Sequence, residues 1–191
     1  QRSVFNLMSS ALLCAGLAGC ASPTRSKSAG KANLAWEWTG IIGTGQSLSI
    51  GARAPAAITT NQPYGNLRLS TGRLPWPVDP DAASLTLVPL VEPIGRRAPS
   101  FPSSWPENIT GETPHAAMAN EISALTKAAV DRNYVSVHSA VGEDGQGMTF
   151  LKKNPTQRGL NGHSYEAAMV ETKAITRLAK AAGKTYGVGA I

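Results

Sequence analysis

From Thr113 onward the chain alternates between helical and extended patterns, and this alternation limits it to one kind of sheet. Thr113-Pro114 reads as an N-cap followed by proline in the first helical turn. Met118, Ile122, Leu125 and Ala129 then recur at helical spacing, which predicts an amphipathic helix of about four to five turns with that face inward. Asn133 ends it, and Tyr134 to Val141 (YVSVHSAV) reads as a strand. A second helix is predicted from about Ser164 to Ala182, with Met169, Ile175, Leu178, Ala179 and Ala182 on its apolar face. Gly183 stands where a left-handed C-cap belongs, and Lys180 and Lys184 complement the negative helix end. Thr185 to Ile191 is a third strand. Upstream, Ala35 to Gly43 (AWEWTGIIG) is aromatic and β-branched and closes on glycine, as a buried strand does. Strand, helix, strand, helix, strand with connections this long predicts an α/β fold, a parallel sheet covered by helices on both faces. Ligands of such sheets bind outside the carboxyl ends of the strands. Those ends open here into the segments starting at Gly43 and at Gly142.

Between these elements lie two stretches without clear period. Leu48 to Glu112 holds ten of the thirteen prolines, and proline neither donates to a ladder nor continues a helix. Within it, Ser84 to Val91 reads as a short edge strand interrupted by Pro89. Unstructured stretches of this length in compact domains are often functional coverings. Gly142 to Gly162 is the second, glycine-rich at its start and basic in the middle.

The first residues have a different character. Ser3 to Gly19 carries no charge and is rich in leucine and alanine, with Arg2 before it. The run is shorter than the roughly 20 apolar residues a membrane span needs and has the length of an export signal. It ends in Leu17-Ala18-Gly19-Cys20, which resembles the bacterial lipobox. That resemblance implies a signal peptide over 1–19, a lipid on Cys20 and a location in the bacterial cell envelope, periplasmic or facing outward. Cys14 leaves with the signal, so no disulfide or cysteine metal site remains. Residues 20–33, small and polar, read as a flexible tether, and 34–191 as one domain. The net charge is +6, with Arg25, Lys27 and Lys31 in the tether, where they face lipid head groups more naturally than nucleic acid. No basic stripe interleaved with aromatics argues for nucleic acid elsewhere. Gln1 and Ile191, the latter within an apolar run, both look like cut ends.

Gly43-Thr44-Gly45-Gln46-Ser47-Leu48-Ser49 leaves the first strand at the edge where a site belongs. Its glycines let the backbone turn sharply and expose a hydroxyl and main-chain N–H groups. Phosphate binding is one reading, although the third glycine of the dinucleotide fingerprint and the lysine of a P-loop are missing. A plain turn is another. Gly45-Gln46-Ser47 at this place is similar to the first block of the SGNH hydrolases, in the form found in sialate O-acetylesterases and related carbohydrate esterases. The resemblance implies a flavodoxin-like three-layer α/β/α sandwich, with Ser47 as nucleophile and first oxyanion donor and Gln46 near the substrate. The family's second block is a glycine-rich turn after the next strand of the sheet. Gly142-Glu143-Asp144-Gly145-Gln146-Gly147 fits it, with Gly145, or else Gly142, donating to the oxyanion and Gln146 contacting substrate. A flexible acidic loop is the alternative reading. Thr59 to Tyr64 and Gly111 to Pro114 resemble segments that border the pocket in a bacterial subgroup. The resemblance covers roughly Trp38 to Ile191, and it implies an acylated carbohydrate as substrate, with no cofactor and no metal.

The family's later blocks, a Gly-Glu and then an Asp-x-x-His, are absent, so the domain reads as incomplete at its C-terminus. His115 falls in the first turn of a helix, where a surface role is usual. His138 alternates inside a strand and reads as a hydrogen-bonded core residue, and His163 as solvated. Without an adjacent base a serine hydroxyl is a weak nucleophile, so residues 1–191 alone are expected to be nearly inactive. Glu143 and Asp144, with Glu112 or Glu92, lack the spacing of a calcium loop and read as a solvated acidic turn. A rival reading is a surface lipoprotein that binds glycan without cleaving it, through Trp36, Trp38, Trp76 and Trp105.

Overall fold

In the computed structural model the described residues are 34–191 apart from 53, 71–77, 95–110, 131–132, 144, 146 and 154–163. The expected export signal, Cys20 and the expected tether lie outside them, as do Trp76, Trp105, Asp144, Gln146 and His163.

Five strands form one sheet: β1 (Trp38–Gly43), β2 (Leu67–Ser70), β3 (Thr86–Pro89), β4 (Val135–Ala140) and β5 (Tyr186–Ala190), in the order β3-β2-β4-β1-β5. The helices are α1 (Pro114–Ala129), the single turn α2 (Met148–Leu151) and α3 (Ser164–Ala181). β1 pairs in parallel with β4 from Trp38↔Val135 to Gly43↔Ala140, and with β5 on its other side. β2 joins β4 in parallel through Leu67↔Val137. β3 returns antiparallel along β2, so the sheet is mixed and not wholly parallel. Pro89 is tolerated because β3 lies at the sheet edge, where a missing N–H leaves no ladder bond broken. β2, unsignalled in the proline-rich stretch, and α2, inside the second irregular segment, are additions to the sequence reading.

Alternation along β4 separates two layers of packing. Val137 joins Ile42, Leu69, Val141 and the α3 residues Ala167, Ala174 and Ile175 in the larger apolar cluster. The intervening Ser136 and His138 are buried on the side of α1, where His138 meets His115. There Ala116 and Ala119 pack on Leu90 and Ile94.

The face that α1 buries differs from the one expected. His115, Ala116, Ala119 and Ser123 face inward, while Met118 and Leu125 are exposed. Small side chains let the helix axis approach the sheet closely, and polar contacts fix it there. The Asn66 side-chain oxygen accepts from the Ser123 hydroxyl at 2.6 Å and from the Ser136 amide at 3.1 Å, and its NH2 donates to Asn120. Satisfied in this way, a buried Asn stabilises, each bond contributing about 1 kcal/mol net. The N-terminus of α1 follows the sequence reading. Thr113 caps it, accepting from the His115 amide, with Pro114 in the first turn. Thr113 in turn donates to the buried Glu92 carboxylate, which also accepts from the Ala116 and Ile94 amides. Burial raises the Glu92 pKa, and those hydrogen bonds oppose the rise.

α3 keeps Ile175 and Ala179 inward as expected but leaves Met169 and Ala182 outside. It ends at Gly183, whose φ of 68° supplies the left-handed cap. Glu171 is buried beneath it, and loss of solvent pushes its carboxyl up to about 7 against a hydrogen bond from Ser139 and the charge of Arg68. Among the described residues no helix is long and apolar enough to cross a membrane.

Candidate functional site

Because β1 and β4 are parallel neighbours, their carboxyl ends release two loops side by side, the Ser47 loop and the Gly142 loop. Pairing continues past the strands: the Val141 amide donates to the Gly43 carbonyl and the Glu143 amide to the Gly45 carbonyl, both at 2.9 Å. Ser47 to Ile50 form one turn of 3-10 helix, closed by Gly51 at φ 78°. The Ser47 carbonyl accepts from Ala52, and the Gln46 carbonyl accepts from both the amide and the hydroxyl of Ser49. Ser47 is half-buried and Gln46 exposed. The turn thus brings a serine to the edge of the sheet with its backbone fixed by local hydrogen bonds.

Of the two glycines considered for the second loop, Gly142 is buried against the first loop, and a Cβ there would stand 2.2 Å from the Gly45 carbonyl oxygen. Gly145 is exposed, in the left-handed region at φ 69°, with no neighbour within 4 Å of a Cβ position. Proximity therefore joins Ser47's loop to Gly142 and leaves Gly145 outside that contact.

The segments expected to border the pocket do meet. Ala56 bridges Gly111, the Glu112 amide donates to the Pro55 carbonyl, and Gly51 abuts the Gly111 backbone. The Glu112 carboxylate gathers the Ile58 amide at 2.7 Å, the Thr59 amide at 3.2 Å and the Thr59 hydroxyl. Burial raises its pKa, and these donors together outweigh that and leave it lowered. Leu48, Ile58 and Met148 stand exposed on these same loops.

Three acids that the sequence placed in a possible metal or solvent role are structural. Glu143 is buried, not solvated, and accepts from the Ser164 amide and hydroxyl at 3.1 and 3.2 Å, anchoring the start of α3 to the second loop. Glu92 and Glu112 are engaged as described. Among the described residues no three His, Cys, Asp or Glu side chains converge as a metal site.

His138 is a hydrogen-bonded core residue, as read from the sequence, whereas His115 is buried and not at the surface. Their Nδ1 atoms lie 3.1 Å apart with the rings edge-on, and His138 Nε2 is 2.7 Å from Ser136 Oγ. Burial pushes His115 down to about 4, and burial together with repulsion from His115 pushes His138 to about 3. Both are neutral near pH 7. The signal in the sequence for this pair was the alternation of Ser136 and His138 on one face of a buried strand.

Trp36 packs its indole against Gly187, and Trp38 packs into the α3-side cluster. Compared with known protein families, curated proteins and solved structures, the chain finds no match.

Proposed function

We propose that this protein is a serine hydrolase built on an α/β sheet, with the SGNH-type three-layer arrangement and Ser47 as its nucleophile. In its particular form it is an esterase that removes O-acyl groups, acetyl foremost, from a carbohydrate outside the cytoplasm, with Cys20 as its lipid anchor.

The observation that carries this reading is the pairing of the two loops at the carboxyl edge: Gly43 and Gly45, at the root of the Ser47 turn, accept main-chain hydrogen bonds from Val141 and Glu143. Acyl transfer requires a nucleophilic oxygen and main-chain donors converging on one carbonyl. Two adjacent glycine-containing loops, one of them bearing a half-buried serine, have the composition and placement for that. Gly142, packed against Gly45, lies nearer the Ser47 loop than Gly145 does, and we assign it the second donor for that nearness.

In the reaction, the Ser47 hydroxyl attacks the ester carbonyl and loses its proton to a base. The tetrahedral oxyanion is held by the amides of Ser47 and Gly142. The alcohol of the sugar leaves with a proton, and water then releases the acid from the acyl-enzyme. His115 and His138, committed to each other through Nδ1, are not that base. The resemblance gives that role to an Asp-x-x-His block, which residues 1–191 lack, so activity is expected only of a protein that carries one.

The decisive measurement is acetate release from an acetylated glycan by the intact protein. Ser47→Ala should reduce it by at least about a thousandfold, as loss of a covalent nucleophile does. Release equal to wild type from that variant would show that another group does the chemistry.

A further inference from the structure

The buried histidine pair lies next to the Ser47 loop. A Cβ on Gly43, the last residue of β1, would stand 2.1 Å from both Cε1 and Nε2 of His115. The imidazole therefore fills the space beside the residue from which the nucleophile loop departs. Its backbone is fixed from one side by the cap, where the His115 amide donates to Thr113 Oγ1 at 3.1 Å and the Glu92 carboxylate holds Thr113 and Ala116. Its ring is fixed from the other by His138 and, through it, by Ser136. Two neutral imidazoles sharing an Nδ1···Nδ1 contact must place one proton between them. If His138 donates from Nδ1, its Nε2 accepts from the Ser136 hydroxyl. If it accepts at Nδ1, its Nε2–H donates to Ser136 Oγ. Either sense closes the chain of bonds and holds the His115 ring in one plane.

We propose that His115 is a positioning residue for the nucleophile, its ring held by His138 and Ser136 so that Gly43 directs the loop of Ser47 toward the Gly142 amide. The inference rests on Ser47 being the nucleophile. A displacement of about 1 Å in a reacting group costs up to a hundredfold in rate, so a ring packed on the first residue of the loop has leverage without touching substrate.

The test is inactivation of the intact protein by a fluorophosphonate, separating the maximal inactivation rate from the half-saturating concentration. His115→Asn keeps an amide where Nδ1 stood, so His138 retains a partner, but removes the ring from Gly43. Ser136→Ala deletes only the hydroxyl at the far end of the chain. Expected is a maximal rate about tenfold lower in His115→Asn and several-fold lower in Ser136→Ala, with half-saturation unchanged. The Gly43 to Ser47 amide resonances should shift in both. If His115→Asn does not fold, Ser136→Ala decides. Wild-type labelling at Ser47 with both folded variants reacting at the wild-type rate overturns this inference alone. Absence of labelling at Ser47 in the wild type overturns the esterase reading and this inference with it.

Discussion

A methyl group on Gly142 would meet the Gly45 carbonyl oxygen at 2.2 Å and the Ile50 side chain at 2.9 Å, and neither can retreat without moving the turn that carries Ser47. Gly142→Ala should therefore lower ester turnover by roughly tenfold or more through loop displacement. Gly145→Asn, which retains a residue type at home in the left-handed region, should lower it far less. Acetate release by the two variants, with melting curves to confirm folding, distinguishes them, and a larger loss in Gly145→Asn would return the oxyanion role to Gly145. That both glycines belonged to one turn after a strand was legible in the sequence. Which one abuts the Ser47 loop was not, because it depends on the register between β1 and β4, and nothing local encodes that register. The burial of His115 escaped for a related reason: a first-turn position exposes a side chain only when no sheet covers that side of the helix, and β4 covers it here.

At the scale of elements, the strands on either side of the long helices and the N-cap of α1 could be read from periodicity and capping residues, since those signals are local. The inward face of α1 could not. Met118 and Leu125 gave the helix an apolar stripe, yet the side chains against the sheet are Ala116, Ala119 and Ser123, chosen for closeness and for the Asn66 network. Leu125→Lys should consequently change stability by no more than about 0.5 kcal/mol, the ordinary effect of a surface substitution. Ala119→Leu should cost about 1–3 kcal/mol or more by overpacking the layer between α1 and the sheet. Urea denaturation of both variants checks this, and the reverse ranking would mean that the helix is turned the other way. β2 escaped the sequence reading because its four residues lie inside the proline-rich stretch and join the sheet through β4, which is distant in sequence.

Over the whole molecule, buried ionisable groups set opposing dependences on pH. His115 and His138 have folded pKa values near 4 and 3 against 6.5 for the free side chain. The unfolded chain thus binds more protons below 6.5, and stability is lost as pH falls through that value toward 4 and then 3. For His115 alone the full shift amounts to about 3 kcal/mol. Glu171, raised from 4.5 to about 7, works the other way: its contribution is complete below 4.5 and is lost as pH rises through 7. Glu92, also raised by burial, acts in the same sense as Glu171, so above 4.5 and up to 6.5 the two carboxyls partly offset the two imidazoles. The melting temperature should therefore fall gently over that interval and steeply below 4.5. In Glu171→Gln the offset shrinks to that of Glu92 and the decline from 6.5 downward should be steeper. Identical slopes for the two proteins between pH 4.5 and 6.5 would contradict this account.

The hydrogen bonds from Val141 to Gly43 and from Glu143 to Gly45 extend the parallel ladder past the last paired residues of β1 and β4. Glu143 then fastens the same stretch to the start of α3. Main chain stitched in this way from Val141 to Glu143 has little independent motion, so a ligand at the sheet's rim would meet a surface already set there rather than one that must close around it.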